Sequence, residues 1–328
     1  MPKNFVLFSG LTLLLLGLCL WHLQAGQLRI GMGDFWSAIV DGGNSTQELI
    51  AREFRIPRML TALIAGSGLA VAGMIMQTLF NNPLAGPYVL GISSGSSLFV
   101  ALCTMTGTPF LQSNMGLVGG AFAGALIFGG IILFFSFFIR SSVSLLLVGL
   151  MLGSFTGSLI SILEATSTAS ELKSFTMWTM GSLQNVQFSD LTLLLALFIP
   201  AIFLLFLLIK PLNVLLLGDK EAQQLGLNMQ VVRIACISVT ALFTGLITAF
   251  CGPIAFVGLA VPNMSRLLFR TQNHRTLLPA NLLIGSSFIL LGDILIQLLE
   301  SSIILPINVF TSLLGAPIVI FIILKRMK

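Results

Sequence analysis

The stretch LTLLLALFIPAIFLLFLLI, residues 191 to 209, decides the fold class. It holds no charged residue and, Thr192 aside, no polar side chain, over the ~20 residues that a helix needs to cross a bilayer core of ~30 Å. A strand of a membrane barrel would instead alternate polar and apolar residues over segments of ~10. The stretch reads as a membrane-spanning helix.

Working outward, nine further runs of comparable length are separated by polar or Gly/Pro breaks. The ten predicted spans are 5 to 24, 58 to 80, 89 to 106, 116 to 139, 143 to 163, 190 to 209, 230 to 250, 253 to 270, 277 to 299 and 306 to 324. The composition agrees: 56% hydrophobic and 8% charged residues with a mean hydropathy of +1.04, against about 25% charged residues in a soluble domain. No linker or hydrophilic domain interrupts the chain, so residues 1 to 328 are read as one all-α, polytopic membrane domain. Residues 1 to 25 carry Lys3 and an apolar stretch as a signal peptide would, but no A-x-A site precedes Ala25, so they read as the first span.

Charge placement gives an expected orientation. With a cytoplasmic N-terminus, ten spans return the C-terminus to the same side. Lys3, Arg140, Lys210, Lys220, Arg233, Arg266, Arg270, Arg275, Lys325, Arg326 and Lys328 then lie inside, eleven of the sixteen basic residues. The outside keeps Arg29, Arg52, Arg55, Arg58 and Lys173 with the acids Asp34, Asp41, Glu48, Glu53, Glu164, Glu171, Asp190 and Glu300. The net charge of +5 therefore calls for no nucleic-acid partner. The expected location is the cell (inner) membrane.

Several activities are excluded by residue type. A P-loop requires G-x-x-x-x-G-K-[ST], and none of the six lysines follows a glycine. ATP hydrolysis, if it drives this protein, belongs to another chain. The two histidines, His22 and His274, fall on opposite predicted sides, and the four cysteines have no paired spacing, so neither a metal nor a cofactor site is expected. GISSG at 91 to 95 matches the G-x-S-x-G nucleophile pattern around Ser93, but it opens an apolar helix without a histidine base. Close helix packing is the simpler reading.

Other features point to packing or to a path. In LIAGSGLAVAG, residues 63 to 73, Ala62, Gly66 and Ala70, and Ala65, Leu69 and Gly73, recur four apart, the spacing that lets helices approach closely. NNPLAGPY (81 to 88), CGPIAFVGLAVP (251 to 262) and LGAP (314 to 317) break helices near their ends. Irregular backbone at membrane depth is tolerated only inside protein or along a watery cavity, which makes them gate or pathway candidates. Asp293, in LLGDILIQLLE, is an intramembrane acid, either a link between helices or an ion-coupling group. In the loop 210 to 230, Gly218 can end one short helix, Asp219 can cap the next and Gly226 can close it.

A likeness to a known family covers nearly the whole chain. It is carried by FRIPR (54 to 58), SGLAVAGMIMQTLFNNPLAGPYVLGISSGSS (67 to 97), ATS (165 to 167), MWTMGSL (177 to 183), GDKEAQQLGL (218 to 227), GPIAFVGLAVPNMSRLL (252 to 268), LLPAN (277 to 281) and LPINVFTSLLGAP (305 to 317). The chain resembles the permease subunits of binding-protein-dependent ABC importers for iron siderophores, haem and vitamin B12, of the type II architecture. The resemblance implies a homodimer in membrane lipid, two cytoplasmic ATPase subunits, an external substrate-binding protein and no chemistry in this subunit. Arg55 and Arg58 resemble external arginines that receive acids of the binding protein. Asn82 and Leu84 resemble a cytoplasmic gate, and Ser167 and Thr168 an external gate before a short helix around Glu171 to Gly181. Asp219, Lys220, Glu221, Ala222 and Gly226 fall in the segment that docks on the ATPase. One departure is Gln297, where the vitamin B12 members carry a third docking arginine. The expected cargo is a ferric siderophore, with haem or cobalamin as alternatives; an ion-coupled secondary carrier is the competitor from another class.

Overall fold

The computed structural model describes residues 2–26, 30–40, 45–107, 110–139, 141–299 and 305–327. Arg29, Asp41, Arg140, Glu300 and Lys328 of the charge reading, and the side chains of Lys325 and Arg326, lie outside what is described. In chain order the helices are α1 (Pro2–Gln24), α2 (Met32–Val40), α3 (Thr46–Ile50), α4 (Ile56–Leu79), α5 (Ile92–Thr106), α6 (Asn114–Phe138) and α7 (Ser142–Thr166). They continue with α8 (Ala169–Thr179), α9 (Phe188–Leu215), α10 (Asp219–Gln224), α11 (Met229–Cys251), α12 (Val257–Phe269), α13 (His274–Leu299) and α14 (Ile307–Met327). A π-helical turn, Ala51–Arg55, leads without a break into α4, and a 3-10 turn, Pro87–Leu90, precedes α5.

Each of the ten predicted spans coincides with a helix, and no strand occurs among the described residues. Seven of these helices, α1, α4, α6, α7, α9, α11 and α13, are long and apolar enough to cross a bilayer. Of the other three, α5 and α12 are shorter than their predicted spans, while α14 runs 21 residues to Met327. In α12 the 13 residues from Val257 reach about 20 Å, because residues 252 to 256 are not helical. Pro262 and Pro317, expected to end helices, lie within α12 and α14. The loop 210 to 230 also differs: α9 runs on through Pro211 to Leu215 as one helix, and Gly218, not Asp219, caps α10.

Helix α4 is the axis of the bundle. Of its most apolar window 83% is buried, against 11% for α1 and 17% for α7, whose sides form the periphery. Small residues set how closely its neighbours come. A Cβ on Gly66 would meet the carbonyl of Gly285 and Cα of Ser286 in α13, and one on Gly73 would meet the backbone of Gly258 in α12. Ser286 Oγ reinforces the first crossing by donating to Leu63 O at 2.8 Å. Gly95 plays the same part where α5 crosses α6, against Phe128 and Gly124. The GISSG segment is therefore a packed helix start, with Ser93 buried in it.

Because the atoms opposite Gly73 are backbone, they cannot move aside as a flexible side chain would. Gly73→Val should destabilise the protein by at least the ~1–3 kcal/mol typical of overpacking, whereas Gly119→Ala, whose Cβ meets nothing within 4 Å, should be neutral. Thermal melting of the two variants in detergent measures the difference; equal melting temperatures would contradict the α4 crossing.

Candidate functional site

Each end of α4 carries a cluster of hydrogen-bonded polar side chains. At one end, Arg58 Nε and Nη2 donate to Asp293 Oδ2 and Oδ1 at 2.8 and 3.0 Å. His22 Nε2 lies 2.7 Å from the same Oδ2, and Gln297 Nε2 lies 3.1 Å from Oδ2 and 2.9 Å from His22 Nε2. The end turns of α1, α4 and α13 are thus joined through one carboxylate. Asp293, of the two readings its sequence allowed, has the geometry of a link between helices. Gln297 turns into this cluster, one turn of α13 beyond Asp293. Arg55, on the turn before α4, donates to Leu23 O at 2.5 Å and sits over Gly26.

Sequence reasoning named Arg58 and Asp293 separately and gave His22 no role. The available signal was that His22 and Asp293 are both ionisable side chains within apolar runs, where such residues seek each other.

The opposite end of α4 is built from amides. Gln77 Nε2 donates to Leu259 O at 3.1 Å and its Oε1 accepts from Arg266. Thr78 Oγ1 lies 2.8 Å from His274 Nε2, while Asn213 Oδ1 meets both the backbone N–H and Nδ1 of His274 at 2.9 Å. These contacts join α4, α9 and α13. His22 and His274 therefore sit at opposite ends of the bundle, as the charge pattern required.

From Leu79 the chain turns through Asn81, which has φ +45°, into the first gate candidate. Asn82 Oδ1 accepts from Leu84 N at 2.9 Å, shaping the turn, and Asn263 Nδ2 holds Pro83 O at 2.9 Å. Leu84 points outward, 43% exposed.

The second gate candidate caps α8. Thr168 Oγ1 accepts from Glu171 N, and the Glu171 carboxylate accepts from Thr168 N at 2.8 Å and Oγ1 at 2.9 Å. Ser167 Oγ donates back to Glu164 O at 3.0 Å. The non-helical segment 252 to 256 lies beside the end of α8. Asn308 of α14 secures it, accepting from Ala255 N at 2.9 Å and donating to Pro253 O at 2.7 Å. Gly252 has φ +71°, and a Cβ there would meet Trp178 O; with Ser182 N also donating to Cys251 O at 2.8 Å, irregular backbone at this depth is paired with protein, as an apolar surrounding demands.

The segment from Asp219 to Gly226, at the His274 end, holds α10 and the turn that follows it. Asp219 pairs with Arg233 at 3.6 Å, and Arg233 in turn donates to Ile139 O at 3.2 Å. Ala222 is fully buried, while Lys220, Glu221, Gln223 and Gln224 face out. Gly226, with φ +84°, closes the turn. Ala222 thus seats the helix on the bundle and Glu221 lies on the face it presents. No group of three metal-ligating side chains occurs among the described residues.

A family model described as the FecCD transport family matches residues 13–325. The chain belongs to that family. Among curated FecCD relatives, the hemin transport system permease protein HmuU of Yersinia pestis is 35% identical over 324 residues, 98% of this chain and 96% of that one. The vitamin B12 import system permease protein BtuC of Escherichia coli O127:H6 is 38% identical over 315 residues, 96% and 94% of the two chains. A solved inward-facing structure of an ABC transporter assigned to the metal-chelate type superposes with a TM-score of 0.86 at 31% identity, covering 99% of this chain and all of the other. This FecCD chain is accordingly a permease of the metal-chelate, haem and vitamin B12 type.

The Arg58–Asp293 pair lets two effects be weighed. Removing one member of a buried pair strands the other and costs about 3–5 kcal/mol, whereas replacing both by apolar groups is often neutral. Asp293→Ala should therefore lower thermal stability far more than the double variant Arg58→Met, Asp293→Leu, measured by melting in detergent. Equal losses would show that the pair is not desolvated. At α8, Glu171 is held below the usual carboxylate range, first by the Thr168 backbone N–H and then by its hydroxyl. A lowered value in the folded state means the contribution is present above the ordinary range and lost as pH falls through the lowered one. Protection of the α8 amides, corrected for the intrinsic exchange rate at each pH, should fall on acidification in the native protein and stay unchanged in Glu171→Gln.

Proposed function

We propose that this FecCD permease is the membrane-spanning subunit of a binding-protein-dependent ABC importer and acts as a homodimer around a central path. The observation that carries the reading is the match along almost the full length to permeases named for hemin and vitamin B12 transport. The cargo is an iron chelate, most simply a ferric siderophore, with haem and cobalamin the nearest competitors. ATP is hydrolysed by two separate cytoplasmic subunits. Both termini are then cytoplasmic, and the His274 end of the bundle faces the ATPase.

In this reading each candidate has a part suited to its place. Arg55 and Arg58 present guanidinium groups to carboxylates of the external binding protein, a geometry that arginine suits better than lysine. Asp293 holds Arg58 in place for that contact. Glu221 and Lys220 on α10 meet the ATPase, and movement passes to the turn at Asn82 and Leu84. Ser167 and Thr168 close the path on the external side. A wide, weakly binding path explains why no residue here announces the cargo.

Reconstitution tests the class. ATP-dependent accumulation of a ferric siderophore in proteoliposomes should require this chain, its ATPase and its binding protein together. Accumulation by this chain alone under an ion gradient would overturn the importer reading in favour of a secondary carrier, and ATP hydrolysis by the isolated chain would contradict the separate ATPase.

Docking and coupling can be probed without entering the packed interior. Arg55→Glu leaves both members of the Arg58–Asp293 pair in place and should weaken binding-protein docking by the about 2–5 kcal/mol seen when a desolvated interfacial pair loses a partner, with restoration by a reversed charge on the partner. Glu221→Lys should uncouple ATPase stimulation while leaving the amount of permease in the membrane unchanged. Wild-type docking and wild-type stimulation in these variants would remove both assignments.

A further inference from the structure

A lateral groove of about 780 Å³ opens between α1 and α14, with α12 and α13 as its floor. Leu14 and Leu18 of α1 face Pro317 and Phe321 of α14 across it. Stacking of Phe8 on Phe269, with ring centres 4.7 Å apart, ties α1 to α12 beside its lower end. Ser287 is the one polar residue in the lining. Its buried Oγ has no hydrogen-bond partner. A buried water needs about 2–4 polar partners, and this wall offers one. The groove is therefore suited to hydrocarbon and not to water or a hydrophilic cargo.

The face of α1 that borders the groove identifies its surroundings. Lys3, Leu14 and Trp21 are separated by close to three and two whole turns, and so lie along one stripe. Both ends of the stripe are exposed, Trp21 at 47%. From Lys3 to Trp21 the helix rises about 27 Å, close to the ~30 Å of a bilayer core. A tryptophan at one interface and a lysine at the other are the anchors of a helix face turned to lipid. At the Lys3 end, Arg270 follows Phe269 and is also exposed, so two exposed positive charges lie beyond the Phe8–Phe269 end of the groove.

We propose that this groove is a binding site for an anionic phospholipid, with an acyl chain lying between α1 and α14 and the phosphate held at Lys3 and Arg270. The apolar walls select a chain, and the paired charges select an anionic headgroup over a zwitterionic one. Bound there, the lipid would complete the packing between two helices that the protein alone leaves apart.

Retention of lipid by the purified full-length chain tests this. After exchange into mild detergent, titration with phosphatidylglycerol should show one retained molecule by native mass spectrometry, and phosphatidylcholine much less. Each basic residue beside a membrane surface strengthens anionic lipid binding about fivefold, so Lys3→Gln, Arg270→Gln together should weaken retention about 25-fold. Ser287→Leu, which narrows the groove at its floor, should weaken it, and Ser287→Ala should leave it unchanged. The two basic residues are exposed, so their variant reports even if Ser287→Leu does not fold. Unchanged retention in the Lys3, Arg270 variant, equal affinity for the two lipids, or cross-linking of Leu14→Cys to a second copy across the groove would overturn the site.

Discussion

Backbone against backbone is the contact on which the bundle depends. Between helices in a bilayer there is little hydrophobic driving force, since lipid is as apolar as the side chains it would release. Association rests on how closely surfaces fit. Along α4 the fit is set by Gly66 against Gly285 and by Gly73 against Gly258, where an added methyl group would already collide. Such a crossing permits one register. A slip by a single turn, about 5.4 Å, would carry Arg58 past Asp293 and Thr78 past His274 at once.

The polar clusters at the two ends of α4 depend on that register and stabilise it in return. The Arg58–Asp293 pair is not a large source of stability taken alone, because bringing a charged pair out of water costs about as much as the attraction returns. What the clusters contribute is choice among arrangements. Asp293 accepts from Arg58 and meets His22 and Gln297, so only one relative placement of α1, α4 and α13 makes these contacts together. At the far end, Asn213 and Thr78 hold His274 between α9 and α4 in the same manner. The moving parts of a transporter would thus be hung from a core whose ends are chemically fixed.

Much of this was legible in the sequence, for physical reasons. Span positions follow from the ~20-residue length rule, and every predicted span contains a helix. The small-residue spacing in 63 to 73 pointed to close crossings, which the glycine contacts bear out. Proline was the poorer guide: Pro211 and Pro317 lie within helices, where neighbouring groups in a bundle can satisfy the freed carbonyl. Non-helical backbone at 252 to 256 was signalled by its Gly-Pro pair, but not its anchoring by Asn308 from 55 residues away. The cluster at Asp293 was legible only as separate members. Its assembly depends on the rotation of three helices about their axes, and no single span carries that information. The parts proposed for Arg55, Arg58, the gate candidates and α10 rest on likeness to the family, since a spacing shows where a side chain lies and not what it meets.

The partnership of Arg58 with Asp293 spans 235 residues of chain, and this has a consequence for biogenesis. At ribosomal speeds of about 5–20 residues per second, Arg58 is synthesised roughly 12–47 s before its carboxylate exists. Helix α4 must therefore enter the membrane on its apolar content while its small-residue faces wait for α12 and α13. Co-translational insertion can place the spans, but assembly of this core begins only when the last third of the chain has left the ribosome. Truncated chains would be inserted and unpacked, a state that membrane quality-control proteases could recognise by its stranded arginine.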